Sequence, residues 1–214
     1  MKTLLYAGTI LLGSYVAAEA VPIIQFAQTS NSNTITATAN AADTATTLSG
    51  TDVSVNVAQN LGGVLGAAFL DLMATSIDSA VAVGTGALQH YSGSFSVFTG
   101  AGMTGQNLLS GTFSDAALGV GGALTLAIGA PPDTLNLTSS LIPAAELVNP
   151  DAAAFSLTNV LPPISIIGTT IQSFTATVSG NVSSSTVAVP EPGAIAVLGV
   201  GLLGLGLIRR RSRT

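Results

Sequence analysis

The chain has 214 residues and a formal net charge of −5, and only 7% of its residues are Asp, Glu, Lys or Arg, against roughly 25% in an ordinary soluble domain. All five basic residues lie at the ends, Lys2 at the start and Arg209, Arg210, Arg211 and Arg213 at the close, so nothing from Val21 to Val189 can neutralise phosphate and a nucleic-acid partner is excluded. The absence of cysteine removes disulfides, thiolate metal sites and thiol nucleophiles.

The first predicted element is a secretory signal. Met1-Lys2-Thr3 is followed by an apolar run from Leu4 to Ala18 and by Ala18-Glu19-Ala20. A short positive region, an apolar helix and small residues at an A-x-A site are the parts of a signal peptide. The expected signal therefore covers residues 1–20, with signal peptidase cutting after Ala20. The apolar run is short for a permanent span of about 20 residues.

From residue 21 the pattern is mainly of period two, the mark of strands with one buried face. It is visible in Thr34 to Thr38, in Val53, Val55 and Val57, in Leu124, Leu126 and Ile128, in Leu135 and Leu137, and in Phe174 to Val178. Gly62-Gly63, Gly121-Gly122, Pro131-Pro132 and Pro162-Pro163 punctuate these runs. Ser92-Gly93-Ser94-Phe95-Ser96 is echoed by Ser110-Gly111-Thr112-Phe113-Ser114, as two similar strands of a meander would be. One region departs from the alternation: Leu65, Phe69, Leu72, Met73, Ser76, Ile77 and Ala80 recur at helical spacing, so residues 64–82 are a candidate helix. The expected fold is mostly β, a single β-sandwich-like domain over residues 21–178 with room for one helix across a sheet.

No catalytic constellation stands out. His90 is the only histidine, and no serine lies in a Gly-x-Ser-x-Gly elbow, so His90 reads as a strand-end side chain and no enzyme is expected. The acids are scattered and form no calcium-loop motif. Asp71 and Asp78 would share a face only if residues 64–82 were helical, which leaves them a weak calcium pair. No metal site and no cofactor are expected.

Residues 179–189 are rich in Ser, Val and Thr and read as an edge strand or as a spacer; the domain division takes them as spacer. Pro190-Glu191-Pro192 then excludes helix and calls for an extended, accessible segment. From Gly193 to Ile208 there is no charge, and as a helix these residues reach about 24 Å, a marginal span for a hydrocarbon core of about 30 Å. Arg209, Arg210, Arg211 and Arg213 follow and, by the positive-inside rule, stay cytoplasmic. An N-terminal signal helix and a C-terminal transmembrane helix thus flank the β domain.

Residues 190–214, with the Pro-Glu-Pro motif, Gly-rich apolar helix and terminal arginines in order, resemble a PEP-CTERM sorting signal. The resemblance implies that Pro190, Glu191 and Pro192 are recognised by the membrane protease exosortase, with the inner membrane as a transient anchor. The expected product is an exported cell-surface or extracellular-matrix protein, structural or biofilm-associated, with extracellular polysaccharide as a candidate partner. A binding module for glycan, calcium or ice is the alternative, the last from the hydroxyl array of Thr34, Thr36 and Thr38.

Overall fold

In the computed structural model, which describes residues 20–84, 86–120, 124–129, 133–147 and 150–185, the period-two runs become thirteen strands. They are β1 (Ala20–Gln28), β2 (Ile35–Ala39), β3 (Thr46–Asn60), β4 (Gly66–Ser76), β5 (Val81–Val83), β6 (Gly86–Gly100) and β7 (Thr104–Val120). After them come β8 (Leu124–Ile128), β9 (Thr134–Thr138), β10 (Pro150–Leu161), β11 (Ile166–Ile167), β12 (Thr170–Ile171) and β13 (Phe174–Ser185). A 3-10 turn at Ala144–Glu146 is the only helical element among the described residues.

Eight strands close a ring in the order β1, β3, β4, β6, β7, β8, β10 and β13, and every neighbouring pair is antiparallel. The sheet is therefore an up-and-down barrel sealed by its first and last strands. The expected two-sheet sandwich is corrected to a single sheet closed on itself. Alternation along one strand is the same in both, because each architecture asks only for one apolar face. Short strands prolong three staves: β2 follows β1 between β13 and β3, β5 follows β4 beside β6, and β9 follows β8 beside β7. Where the chain leaves the first stave between β1 and β2, Gln28 Oε1 accepts the Val178 N–H at 2.9 Å and its amide nitrogen donates to the Ser30 and Asn33 carbonyls.

The candidate helix over 64–82 is corrected as well. Ala68, Leu70, Leu72 and Ala74 point inward from β4, while Met73 is 63% exposed. Both periods fit the sequence, but β3 and β6 need a strand between them to pair their backbone groups, and β4 supplies it on both sides. The expected spacer over 179–189 is shortened, since residues 179–185 belong to β13 and pair with both β1 and β10.

An eight-stranded barrel leaves an interior that side chains just fill. Here Phe26, Phe95 and Phe155 meet inside it, with centroid separations of 6.2 Å for Phe26 to Phe155 and 5.0 Å for Phe95 to Phe155. The echoed segments turn out to be partners: Phe95 faces Gly111 and Phe113 faces Gly93 across β6 and β7. A Cβ at Gly111 would lie 2.5 Å from Phe95 Cε1, so Phe95 occupies the space that its glycine leaves, whereas a Cβ at Gly93 would meet the β4 backbone at Met73 and Ala74. Ile142 and Leu147 are buried in the segment after β9, which is tied by a hydrogen bond from Ser139 Oγ to the Leu108 carbonyl at 2.8 Å. That is the end of the barrel where β1 begins and β13 finishes. Thr170 and Ile171 are buried at the opposite end.

Candidate functional site

Most of the few charged side chains are used to shape the backbone. Asp52, Asp115 and Asn159 adopt φ of 51°, 61° and 53°, and each sits where the ladder slips by one residue. Asp and Asn tolerate this left-handed conformation better than other side chains, and such slips are β-bulges. The Asp71 carboxylate accepts the Asp52 N–H at 2.6 Å, and the Asp52 carboxylate accepts the Gly102 N–H at 2.6 Å. The sequence does hold a signal for these bulges. Inward residues run through 46, 48 and 50 and then 53, 55 and 57 in β3, and through 109, 111 and 113 and then 116 and 118 in β7.

His90 lies on the outer face of β6, and its Nδ1 is 2.5 Å from Asp78 Oδ2. Asp78 Oδ1 also accepts the His90 N–H at 2.8 Å, and Gln89 Nε2 donates to the Asp78 carbonyl at 2.9 Å. The pair therefore pins the link between β4 and β5. The hydrogen bond to Asp78 raises the His90 pKa above its ordinary value of 6.5, against a smaller lowering by burial, with the charges of Asp78, Asp115 and Asp133 adding to the rise. Among the described residues no serine hydroxyl bonds the ring, and no group of three His, Asp or Glu side chains converges as metal ligands. Asp71 and Asp78, paired in expectation as a weak calcium site, are committed to separate backbone contacts.

A polar cluster that the sequence reading missed lies inside the barrel at the end opposite to where β1 begins and β13 finishes. Thr46, Gln89, Tyr91 and Thr170 are fully buried. Thr46 Oγ1 bonds the Thr170 hydroxyl and donates to the Ile171 carbonyl, Tyr91 donates to Gln89 Oε1 at 3.1 Å, and the Ile171 N–H donates to the same oxygen at 3.2 Å. Burial pushes the Tyr91 phenol well above its usual range, with the hydrogen bond to Thr46 opposing it. Each polar atom has a partner, so the cluster is a clasp holding the Thr170–Ile171 strand against the core.

The outer seam, where the first and last strands meet, is built differently. Gln25 faces Asn181 and Gln59, and Ala27 faces Ser179 and Asn56. Beyond β13, Asn181 faces Ala154 and Ser179 faces Ser156. A shallow groove of about 560 Å³ runs over these positions, its floor formed by Ala27, Ala58 and Ala154 between the longer amides. The seam ends at the pair Ala20 to Ser185, so the described domain begins beside the expected signal-peptide cut and ends just before the expected sorting signal.

Residues 188–211 match the PEP-CTERM protein-sorting motif. The match begins three positions after the end of β13 and takes in Pro190, Glu191 and Pro192 together with Arg209, Arg210 and Arg211, while Arg213 lies beyond it. A PEP-CTERM motif implies handling by an exosortase system, with export and C-terminal membrane anchoring before cleavage. No curated protein and no solved structure matches the chain.

The signal segment 1–19, the end of the spacer from 186 to 189 and the sorting segment 190–214, with its expected membrane helix, lie outside the described residues. Among the described residues no helix is long and apolar enough to cross a membrane. The described barrel is apolar within, and its outer strands carry hydroxyls and amides together with the exposed side chains of Met73, Val81 and Val83.

Proposed function

We propose that the protein is a non-enzymatic surface or matrix protein whose working part is the closed barrel, released or transferred by exosortase after signal peptidase has removed the leader. The observation that carries this reading is position. The matched motif starts at residue 188, directly after the last stave, and the expected N-terminal cut after Ala20 falls at the start of the first. Both cuts trim the chain without opening the ring.

A structural role is supported by what surrounds the barrel. Its outer face carries in-register hydroxyls, such as Thr38, Thr47, Thr75 and Ser92 across β2, β3, β4 and β6. The His90 ring is held at Nδ1 by Asp78, and among the described residues no serine or threonine hydroxyl bonds it as a nucleophile would. The ice-binding alternative loses support because Thr36 and Thr38 lie on a convex, twisted surface, where a flat hydroxyl lattice does not form. Intact mass of the protein from medium and envelope, with and without the host exosortase, tests the sorting. The expected product lacks residues 1–20 and ends near Pro190 only when the protease is present. A C-terminus at Thr214 in both strains overturns it. Loss of matrix cohesion on deleting the gene is the expected phenotype, and a measured catalytic activity with unchanged cohesion rejects the structural role.

A further inference from the structure

We infer that the outer seam across β3, β1, β13 and β10 is a binding face for an uncharged saccharide chain. The groove crosses four strands, about 15 Å at the usual strand spacing, so it is long and shallow in the way a chain ligand needs. Its floor is alanine, which lets a flat ring approach the backbone, and its walls are Gln25, Asn56 and Asn181. Among the described residues these three amides have no hydrogen-bond partner, whereas Gln28 beside them is fully engaged with the Ser30 and Asn33 carbonyls and the Val178 N–H.

The chemistry selects the ligand class. A primary amide offers donor and acceptor together, which matches a sugar hydroxyl that does both. No Asp, Glu or His lines the groove, so nothing there favours a cation or an ionic headgroup. None of the exposed large hydrophobic side chains lines it either, and a protein partner would want the aromatic or aliphatic anchors of a hot spot. Ser156 and Ser179, adjacent in register, extend the hydroxyl-bonding surface toward β10.

This inference rests on delivery of the barrel outside the cell, but binding is measured on the purified chain whatever the fate of its C-terminus. The full chain, in a detergent without a sugar headgroup, is run in native gels containing a neutral β-glucan, dextran or the anionic polysaccharide alginate. The expected result is retardation by at least one neutral glucan and none by alginate. The double variant Gln25→Ala with Asn181→Ala should bind about tenfold more weakly, as two lost hydrogen bonds imply, with an unchanged melting midpoint. Ala154→Glu, which sets a charge on the floor, should abolish retardation. Migration unaffected by both neutral glucans, retardation by alginate alone, or equal retardation of all three proteins overturns the inference and leaves the sorting reading untouched.

Discussion

Gly180 lies between Phe26 and Phe155 in register, and a Cβ built on it would stand 2.2 Å from Phe26 Cζ. The ring is enclosed by the barrel and cannot swing aside, so the substitution must push on packed neighbours. Gly180→Ala is expected to destabilise the barrel by about 1–3 kcal/mol, the usual cost of overpacking. Gly129→Ala, where the nearest atom is an Asp133 oxygen at 4.0 Å, should change stability by less than about 0.5 kcal/mol. Urea titration of both variants checks the contrast; equal effects would mean that the aromatic cluster tolerates a methyl group and is not close-packed.

His90 gives a pH dependence of known sign. Its folded pKa is raised above 6.5, chiefly by the bond to Asp78. Its contribution to stability is therefore complete below the unfolded value and fades as pH rises through the raised folded value. Because the two side chains are 33% and 42% exposed, the effect is screened and should stay under about 1 kcal/mol. The sharper readout is the His90 ring proton in NMR. Its titration midpoint should lie above that of a free histidine and fall back toward it in Asp78→Asn, and a midpoint indifferent to that change would separate the pair in solution.

At the level of elements, β4 shows how far the sequence can be read and where it stops. Val53, Val55 and Val57 and the three runs around Leu126, Leu137 and Ala176 all became strands because alternation was their only period. Residues 64–82 carried two periods at once, since Leu72 and Met73 are adjacent and each lies on one candidate face. Only the unsatisfied edges of β3 and β6 choose between them, and those are not visible in the segment itself. The choice has a direct test. Leu70→Ala removes an inward side chain that is wholly buried and should cost about 2–5 kcal/mol, although Leu70 is off the helical stripe. Met73→Ser, on that stripe but exposed, should cost less than about 0.5 kcal/mol. The opposite ranking in thermal or chemical unfolding would restore the helix. The outer seam was invisible for a similar reason: Gln25, Asn56 and Asn181 are far apart in the chain, and the register that aligns them follows from ring closure.

For the whole molecule, closure is the property on which the rest depends. Consecutive staves are neighbours all the way from β1 to β13, and among the described residues the ring is joined end to end by β13 pairing with β1 and with its continuation β2. In chain order the ring is thus closed by the strand that directly precedes the sorting motif. Sequence alternation could announce the strands but not this joint, because a sandwich and a barrel differ only in whether the edge strands find each other. A chain of residues 21–185 retains every register pair of β1 with β13 except Ala20 with Ser185, and it should unfold in a single cooperative transition. A chain ending at Ser173 lacks β13, which leaves β1 and β10 with bare edges and exposes the Phe26 and Phe155 rings that Gly180 separates; it should aggregate or unfold without cooperativity. Calorimetry and near-ultraviolet circular dichroism of the two chains decide the matter. Cooperative melting of the shorter chain would mean that the sheet is stable open without β13, and then a sorting cut reaching into β13 would not harm the product. Loss of folding in the shorter chain alone would instead place a boundary that any processing enzyme must respect within the last strand, between Phe174 and Ser185.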